Sequence, residues 1–376
     1  MTKPVVAANL TWAQVHGFRL ERHYLARRAP RRALGQVVGA IGGVQAQVMS
    51  GAELQIAVRV NCSVRDVRKA LWVDKALVKT WLMRGTLHLV PAGDLPLFAA
   101  ATGWGWHFRP SWLKFFGTTE AELTKLVDTI GDALSASPMT REDIIAIAGA
   151  GQSPRVREFL RSGWGSFLKP VARRGLLCFG PSRGTSVTFV RPEKWLGSWR
   201  DVDADTALLE VARRYLGAYG PATKSDFARW FGPSWPGVAR AAWAGLASEL
   251  APVSIEGERA DILAADLPAL RKVKTGASVA LLPGFDPYLM GHESRDHLFD
   301  RHHAPKVSRI AGWISAVVLV DGRVEGTWTH RASDGKLQIR VERFEAMPRR
   351  VRAGIAERAE AVADALGLHD AAITFS

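Results

Sequence analysis

Gln45 and Gln47, separated by Ala46 and flanked by glycines at 42, 43 and 51, form the most unusual polar pattern in the chain. If the segment is extended, side chains two residues apart share a face. The glycines permit tight turns and close approach of another part of the chain. Residue types alone leave two readings open: two amides aimed at one target, or a helix end or loop with two exposed amides. Other candidate patterns fail on context. Gly180-Pro-Ser182-Arg-Gly184 fits G-x-S-x-G, but a nucleophile elbow joins a strand to a helix, whereas here another strand is expected to follow. His292-Glu293 and His297 stand five apart, which takes the imidazoles off a shared helix face, so no zinc site is expected. His302-His303 lies beside Arg301 and Lys306 and reads as basic surface. Cys62 and Cys178 match no metal or redox spacing and read as free thiols of a reducing compartment. Neither a Walker A loop nor a dinucleotide fingerprint in a strand-to-helix setting is found, so nucleotide hydrolysis and cofactor redox chemistry lack support.

The elements that must carry these residues repeat weakly. Thr11-Trp-Ala-Gln14, Thr140-Arg-Glu-Asp143 and Thr223-Lys-Ser-Asp226 each read as a helix start, with a threonine cap and a polar acceptor three residues on. A helix over 74–83 is expected to run into Arg84-Gly85 and a strand through His88. A second helix over 167–173 runs into Arg174-Gly175 and a strand over 176–179. That strand is expected to turn through 180–184 and return over 185–190. The third repeat pairs a helix over 237–250 with strands over 251–255 and 260–263. Helices followed by a two-stranded hairpin describe a winged helix, and the expectation is three of them in tandem.

From Ser278 onward the pattern changes to short apolar runs over 279–282, 312–319, 324–328 and 337–341, with Asp321-Gly322 as a hairpin signal. Residues 348–366 read as an amphipathic helix carrying Val351, Ile355, Val362 and Leu366 on one face. The predicted fold is α+β: three tandem winged-helix units and a small C-terminal β domain with a closing helix. The boundaries are 1–134, 135–200, 201–268 and 269–376.

The charge indicates a partner. Across 376 residues, 50 Lys and Arg oppose 36 Asp and Glu, a net +14. Basic residues cluster over 19–32 and 155–183. No run approaches the ~18–20 apolar residues of a membrane span, and the N-terminus lacks a signal-peptide pattern. A cytoplasmic, nucleoid-associated protein with a polyanion partner, duplex DNA first, is expected. Arg84, Lys169, Arg173, Arg174 and Arg183, at helix ends or a wing tip, are the candidate phosphate contacts. His88 is read as either a structural histidine or a further DNA contact, Asp286 as a turn residue, and Trp104 and Trp106 as candidate base-stacking residues.

The chain also resembles the winged-helix DNA glycosylases of the azinomycin-resistance (AlkZ-like) type. The resemblance rests on residues 43–47, on Met83-Arg-Gly-Thr-Leu-His88-Leu-Val-Pro91, on Leu281-Leu-Pro-Gly-Phe-Asp286-Pro-Tyr-Leu289, and on 312–315 with 321–328. It implies a C-shaped body around a basic channel, and a Gln-Φ-Gln catalytic motif that falls on Gln45 and Gln47, with Ala46 a small Φ. The implied activity is a monofunctional, cofactor-free DNA glycosylase acting on alkylated or crosslinked purines; no metal is expected, and nothing in the sequence requires more than a monomer. The rival reading is a non-catalytic winged-helix DNA-binding protein or regulator.

Overall fold

A computed structural model describes residues 6–232, 237–276, 278–333 and 335–376. The chain folds as two units. One is built from Met1–Lys69, Ala212–Phe231 and Ala239–Ser376, the other from Ala70–Val211 and Gly232–Val238. Both mix helices with mainly antiparallel strands, so the fold is α+β.

Local chemistry dictates the helix starts. The Thr11 hydroxyl accepts from Gln14 N at 3.3 Å, and Gln14 Oε1 accepts from Thr11 N at 3.0 Å. Reciprocal bonds link Thr140 with Asp143 and Thr223 with Asp226. Each box satisfies two N–H groups that the first helical turn leaves without an intrahelical acceptor. A fourth box, Thr119 with Glu122, opens helix Glu120–Ala133 and has the same spacing.

In the first unit a five-stranded sheet runs in the order Val279–Leu282, Val317–Val320, Arg323–Ser333, Lys336–Arg343, Ala371–Phe375. All pairs are antiparallel except the last, which is parallel. Asp321 and Gly322 take φ of 51° and 86° and close the expected hairpin as a two-residue turn. Helix Arg349–Leu366 buries Val351, Ile355, Ala359 and Val362 against Leu281, Val318, Trp328 and Ile339. Full burial of each large aliphatic side chain contributes about 1.5–3 kcal/mol relative to exposure. A second sheet pairs Ala8–Leu10 in parallel with Leu250–Ile255, which is antiparallel to Glu258–Leu263. Glu256-Gly257 supplies that hairpin's turn, again with both φ positive.

The second unit holds the hairpin Leu77–Trp81 with Leu87–Pro91 and a three-stranded sheet of Met139–Thr140, Ser186–Val190 and Cys178–Arg183. Its core gathers Trp81, Phe116, Phe167, Phe179 and Phe189 with the apolar faces of the surrounding helices.

Several expectations are corrected. Residues 74–83 are not a helix: helix Val64–Trp72 has already ended, and Leu77–Trp81 is a strand. Val78, Thr80 and Trp81 favour extended backbone, and four of its five residues are buried. Arg84-Gly85 is therefore the tip of a hairpin, with φ of 58° and 65°, and not a helix cap. The strand from Cys178 continues to Arg183, with a bulge after Gly180, so the turn narrows to Gly184-Thr185. The helix expected over 237–250 spans Val238–Gly245, and Leu250 already begins a strand. Of residues 312–319 only those from Val317 are strand, because Ile310–Gly312 forms a 3-10 turn. Strands Ala8–Leu10 and Ala371–Phe375 were not anticipated, since short segments pair only where a partner edge is available. The expected helix at 348–366 and strand at 279–282 form as read.

Candidate active site and nucleic-acid interface

The Gln-x-Gln segment is built by its neighbours. Helix Leu34–Ala40 ends just before Gly42 and Gly43, whose φ values of 72° and 89° reverse the chain. A Cβ at Gly42 would lie 2.9 Å from the Trp230 ring, so only glycine fits both the space and the dihedral. Tyr219 donates its hydroxyl to the Ile41 carbonyl at 2.9 Å in a buried setting. The chain then forms the short strand Val44–Gln45 and enters helix Met49–Ala57 after Val48. Gln45 is 8% exposed, Ala46 is fully buried, and Gln47 is exposed. The middle position of the motif is thus a core position, which requires an apolar residue.

Behind Gln45 lies a network that sequence reading did not find. Gln55 Nε2 donates to the Gln45 carbonyl at 3.4 Å and to the Gly284 carbonyl at 3.1 Å. Arg59 donates to the Gln55 carbonyl at 2.8 Å, and its guanidinium grips both oxygens of Asp286 at 2.6 and 2.8 Å. Arg59 and Asp286 are both fully buried. Asp286 also accepts from Tyr288 N and caps the following helical turn, consistent with its reading as a turn residue. Polar types at 55, on the helix, and at 59, in the turn that follows it, were the only signal available. Their partner lies 227 residues further along the chain.

The same unit holds a second group of buried polar side chains. Buried His16, His23 and His292 and the partly buried His297 surround Arg19, which donates to His297 Nε2 at 3.0 Å and to the Pro221 carbonyl at 2.8 Å. Trp12 stacks on His297 with ring centroids 4.5 Å apart. Burial and the Arg19 charge push His297 down to about 2 and His16 down to about 3, so these imidazoles are neutral. His292 Nε2 faces the Tyr219 carbonyl at 3.0 Å. Among the described residues no group of three or more His, Cys, Asp or Glu is arranged to hold a metal ion.

The six candidate DNA contacts all belong to the second unit. His88 sits buried on strand Leu87–Pro91, as the strand reading expects. Its Nδ1 faces the Thr86 carbonyl at 2.9 Å and must carry the proton, which leaves the Nε2 lone pair for Arg84 Nη2 at 3.2 Å. Burial and the Arg84 charge lower its pKa to about 3, so His88 orients Arg84 as a neutral ring. Arg173 lies over the Trp106 ring at 4.5 Å, and Phe108 meets Trp106 edge-on. Lys169, Arg173, Trp106, Phe108 and Trp112 line one cleft. Burial lowers the Arg173 pKa to about 10 and lowers that of Lys169, and Arg173 is still charged at neutral pH. Arg174 pairs with Asp128 at 2.6 Å, and Arg183 with Asp143 at 3.4 Å and the Pro138 carbonyl at 2.7 Å. Trp104 donates its indole N–H to Asp205. Ser182 lies on an exposed part of a strand that leads into another strand, so no elbow forms. Both cysteines are buried and unpaired, and burial raises their pKa values. Among the described residues no helix is long and apolar enough to cross a membrane.

Comparison with known proteins agrees with the family resemblance read from the sequence. The family model described as DNA glycosylase AlkZ-like matches residues 38–365. A curated Streptomyces sahachiroi protein, "Interstrand DNA cross-link repair glycosylase", is 38% identical over 327 residues, 85% of this chain and 87% of that protein. The solved structure of Streptomyces sahachiroi DNA glycosylase AlkZ superposes with a TM-score of 0.88 at 35% identity, covering 98% of this chain and 100% of the other. The chain therefore belongs to the AlkZ-like family of DNA glycosylases and is an enzyme of that class.

Proposed function

We propose that this glycosylase releases purines alkylated at N7 or N3 from duplex DNA, crosslinked purines included, with Gln45 and Gln47 holding the attacking water. The observation that carries the reading is the built setting of the motif. Gly42 and Gly43 turn the chain, Ala46 anchors it in the core, and Gln45 is nearly buried while Gln47 faces solvent. Hydrolysis of a glycosidic bond passes through a transition state with oxocarbenium character. A neutral base is a poor leaving group and needs an acid; a carboxamide cannot act as acid or base near neutral pH. An N7- or N3-alkylated purine already carries positive charge and leaves readily. Two amides then suffice, by fixing a water in line and directing their carbonyl dipoles toward the developing cation. The chemistry also sets a limit: neutral lesions such as uracil are not substrates. Crosslinked bases belong to the proposal because the family resemblance implies them, and a relative is named for interstrand crosslink repair. A base tied to the opposite strand cannot swing freely into a deep pocket, so a groove-side approach suits it.

For binding, we infer three tandem winged helices over 1–134, 135–200 and 201–268, and a β domain with a closing helix over 269–376. This division follows repeating elements along the sequence rather than compaction. Its support is the recurrence of a capped helix and, further along, a hairpin: Leu77–Pro91, Cys178–Val190 and Leu250–Leu263. Arg84, His88 (through Arg84), Lys169, Arg173, Arg174 and Arg183 supply the DNA contacts. The enzyme acts in the cytoplasm as a monomer.

The test is single-turnover release of N7-methylguanine from duplex DNA by the wild type and by the Gln45→Ala/Gln47→Ala variant. The double variant is expected to lose about 100-fold or more in rate while still binding DNA. Full activity in the double variant removes the assignment.

A further inference from the structure

Gln55 is fully buried beside the motif, with its amide nitrogen committed to two backbone carbonyls. The orientation of that amide is fixed by chemistry. Both acceptors, the carbonyls of Gln45 and Gly284, need donors, so the nitrogen must face them, and a flipped amide would set oxygen against oxygen. A buried amide whose two N–H groups bridge separate segments is a clamp: it ties residue 45 to the loop at 284.

Two further features hold the clamp still. The Gln55 backbone carbonyl takes a bond from Arg59, and Arg59 is locked by its two-oxygen grip on Asp286. Phe285, between the clamped Gly284 and the gripped Asp286, has φ of 59°. A bulky residue in the left-handed region persists only where its surroundings over-determine it. Here the Ile314 carbonyl accepts from Phe285 N at 3.3 Å, and the Trp313 ring packs against Phe285. A Cβ at Gly284 would meet the Ile314 carbonyl at 3.0 Å, so the loop has little room to shift.

We propose that Gln55 is a positioning residue for the glycosylase reaction: it fixes the Gln45 carbonyl, and through it the Gln-x-Gln backbone, at the distance a bound water requires. This rests on the reading of Gln45 and Gln47 as the water-holding pair. An amide pair has no charge or proton transfer to compensate for a misplaced water, so rate depends steeply on backbone placement. The contribution falls on the chemical step and not on DNA binding.

The experiment compares Gln55→Met, which keeps the side-chain length and removes both donors, with Gln55→Glu, which keeps the shape and turns a carboxylate toward the carbonyls. Gln45→Ala/Gln47→Ala is run in parallel. Base release from N7-methylguanine duplex is measured under single turnover, with DNA affinity by anisotropy and melting temperature on the same proteins. The expected result for Gln55→Met is a fall of about 10- to 100-fold in the saturated rate with DNA affinity within error of wild type, while the two carbonyls left without donors lower the melting temperature and the protein stays folded at the assay temperature. Gln55→Glu is expected to fall at least as far. The inference is overturned if Gln55→Met stays within twofold of wild type while the double variant loses activity; the water-holding reading then survives alone. It is also overturned if DNA affinity falls by the same factor as the rate, or if the variant is unfolded at the assay temperature, either of which marks a purely structural role. Full activity in the double variant removes both readings.

Discussion

Arg59–Asp286 and Arg174–Asp128 are both arginine–carboxylate pairs with N–O distances of 2.6 Å, yet they do different work. The first has both side chains fully buried; the second leaves each 47% exposed. Burial makes the first pair obligatory. Each charge has given up its hydration, so removing either partner strands the other in a low-dielectric interior. Exposure makes the second pair exchangeable. A solvent-screened pair contributes about 0–1 kcal/mol, which a DNA phosphate can replace without loss. The ion pairs at Arg174 and Arg183 are therefore compatible with phosphate contact. In the structure Arg174 pairs with Asp128 and Arg183 with Asp143.

The largest expected effect breaks the buried pair. Asp286→Asn or Arg59→Met should destabilise the fold by about 3–5 kcal/mol, read from urea denaturation at neutral pH. Combining Arg59→Met with Asp286→Leu should recover much of that loss, because neither charge is then left alone. A double variant no more stable than the singles would mean the pair is held for its geometry and not for its charge balance.

A smaller effect extends the contrast to histidine. His16 and His88 are buried with pKa values held near 3, well below the ordinary 6.5. Below pH 6.5 the unfolded chain takes up protons that the folded chain refuses. Their contribution is therefore fully present above 6.5 and is lost as pH falls from there toward 3. At pH 4.5 each should have cost about 2–3 kcal/mol of stability. Denaturation of His16→Gln and His88→Gln at pH 7 and 4.5 checks this: each substitution should flatten the decline by about that amount.

The smallest effect on stability belongs to the exposed pair. Arg174→Gln should change folding stability by less than about 1 kcal/mol. If Arg174 meets a phosphate, the same variant should weaken binding to all duplexes alike and lower the salt slope of log affinity by about 1. A salt slope equal to that of wild type would return Arg174 to Asp128 alone.

The legible parts of the chain are those whose cause is local. Thr11, Thr140 and Thr223 cap helices because the acceptor lies three residues on, within reach before any tertiary contact forms. Asp321-Gly322 turns because both residues tolerate positive φ. The error at 74–83 has the opposite cause. Leu77–Trp81 is extended because its partner strand Leu87–Pro91 and a buried setting favour it over the helical pattern its composition also allows. The ends of the Cys178–Arg183 strand and of helix Val238–Gly245 depend in the same way on what they pack against.

The same division runs through the candidate site. Gln45, Gln47 and the flanking glycines stand out as a run of unusual residues, and the resemblance gave them a chemistry. The basic clusters and the family motifs were likewise readable in order along the chain. What no reading of neighbours supplies is the support behind them: Gln55 reaching the 45 and 284 carbonyls, and Arg59 meeting Asp286 across 227 positions. Capping and turn signals act over three or four residues, where the chain's own geometry brings partners together. Buried polar pairing has no preferred separation in sequence. It is settled only when the two units close their cores and each desolvated donor must find an acceptor.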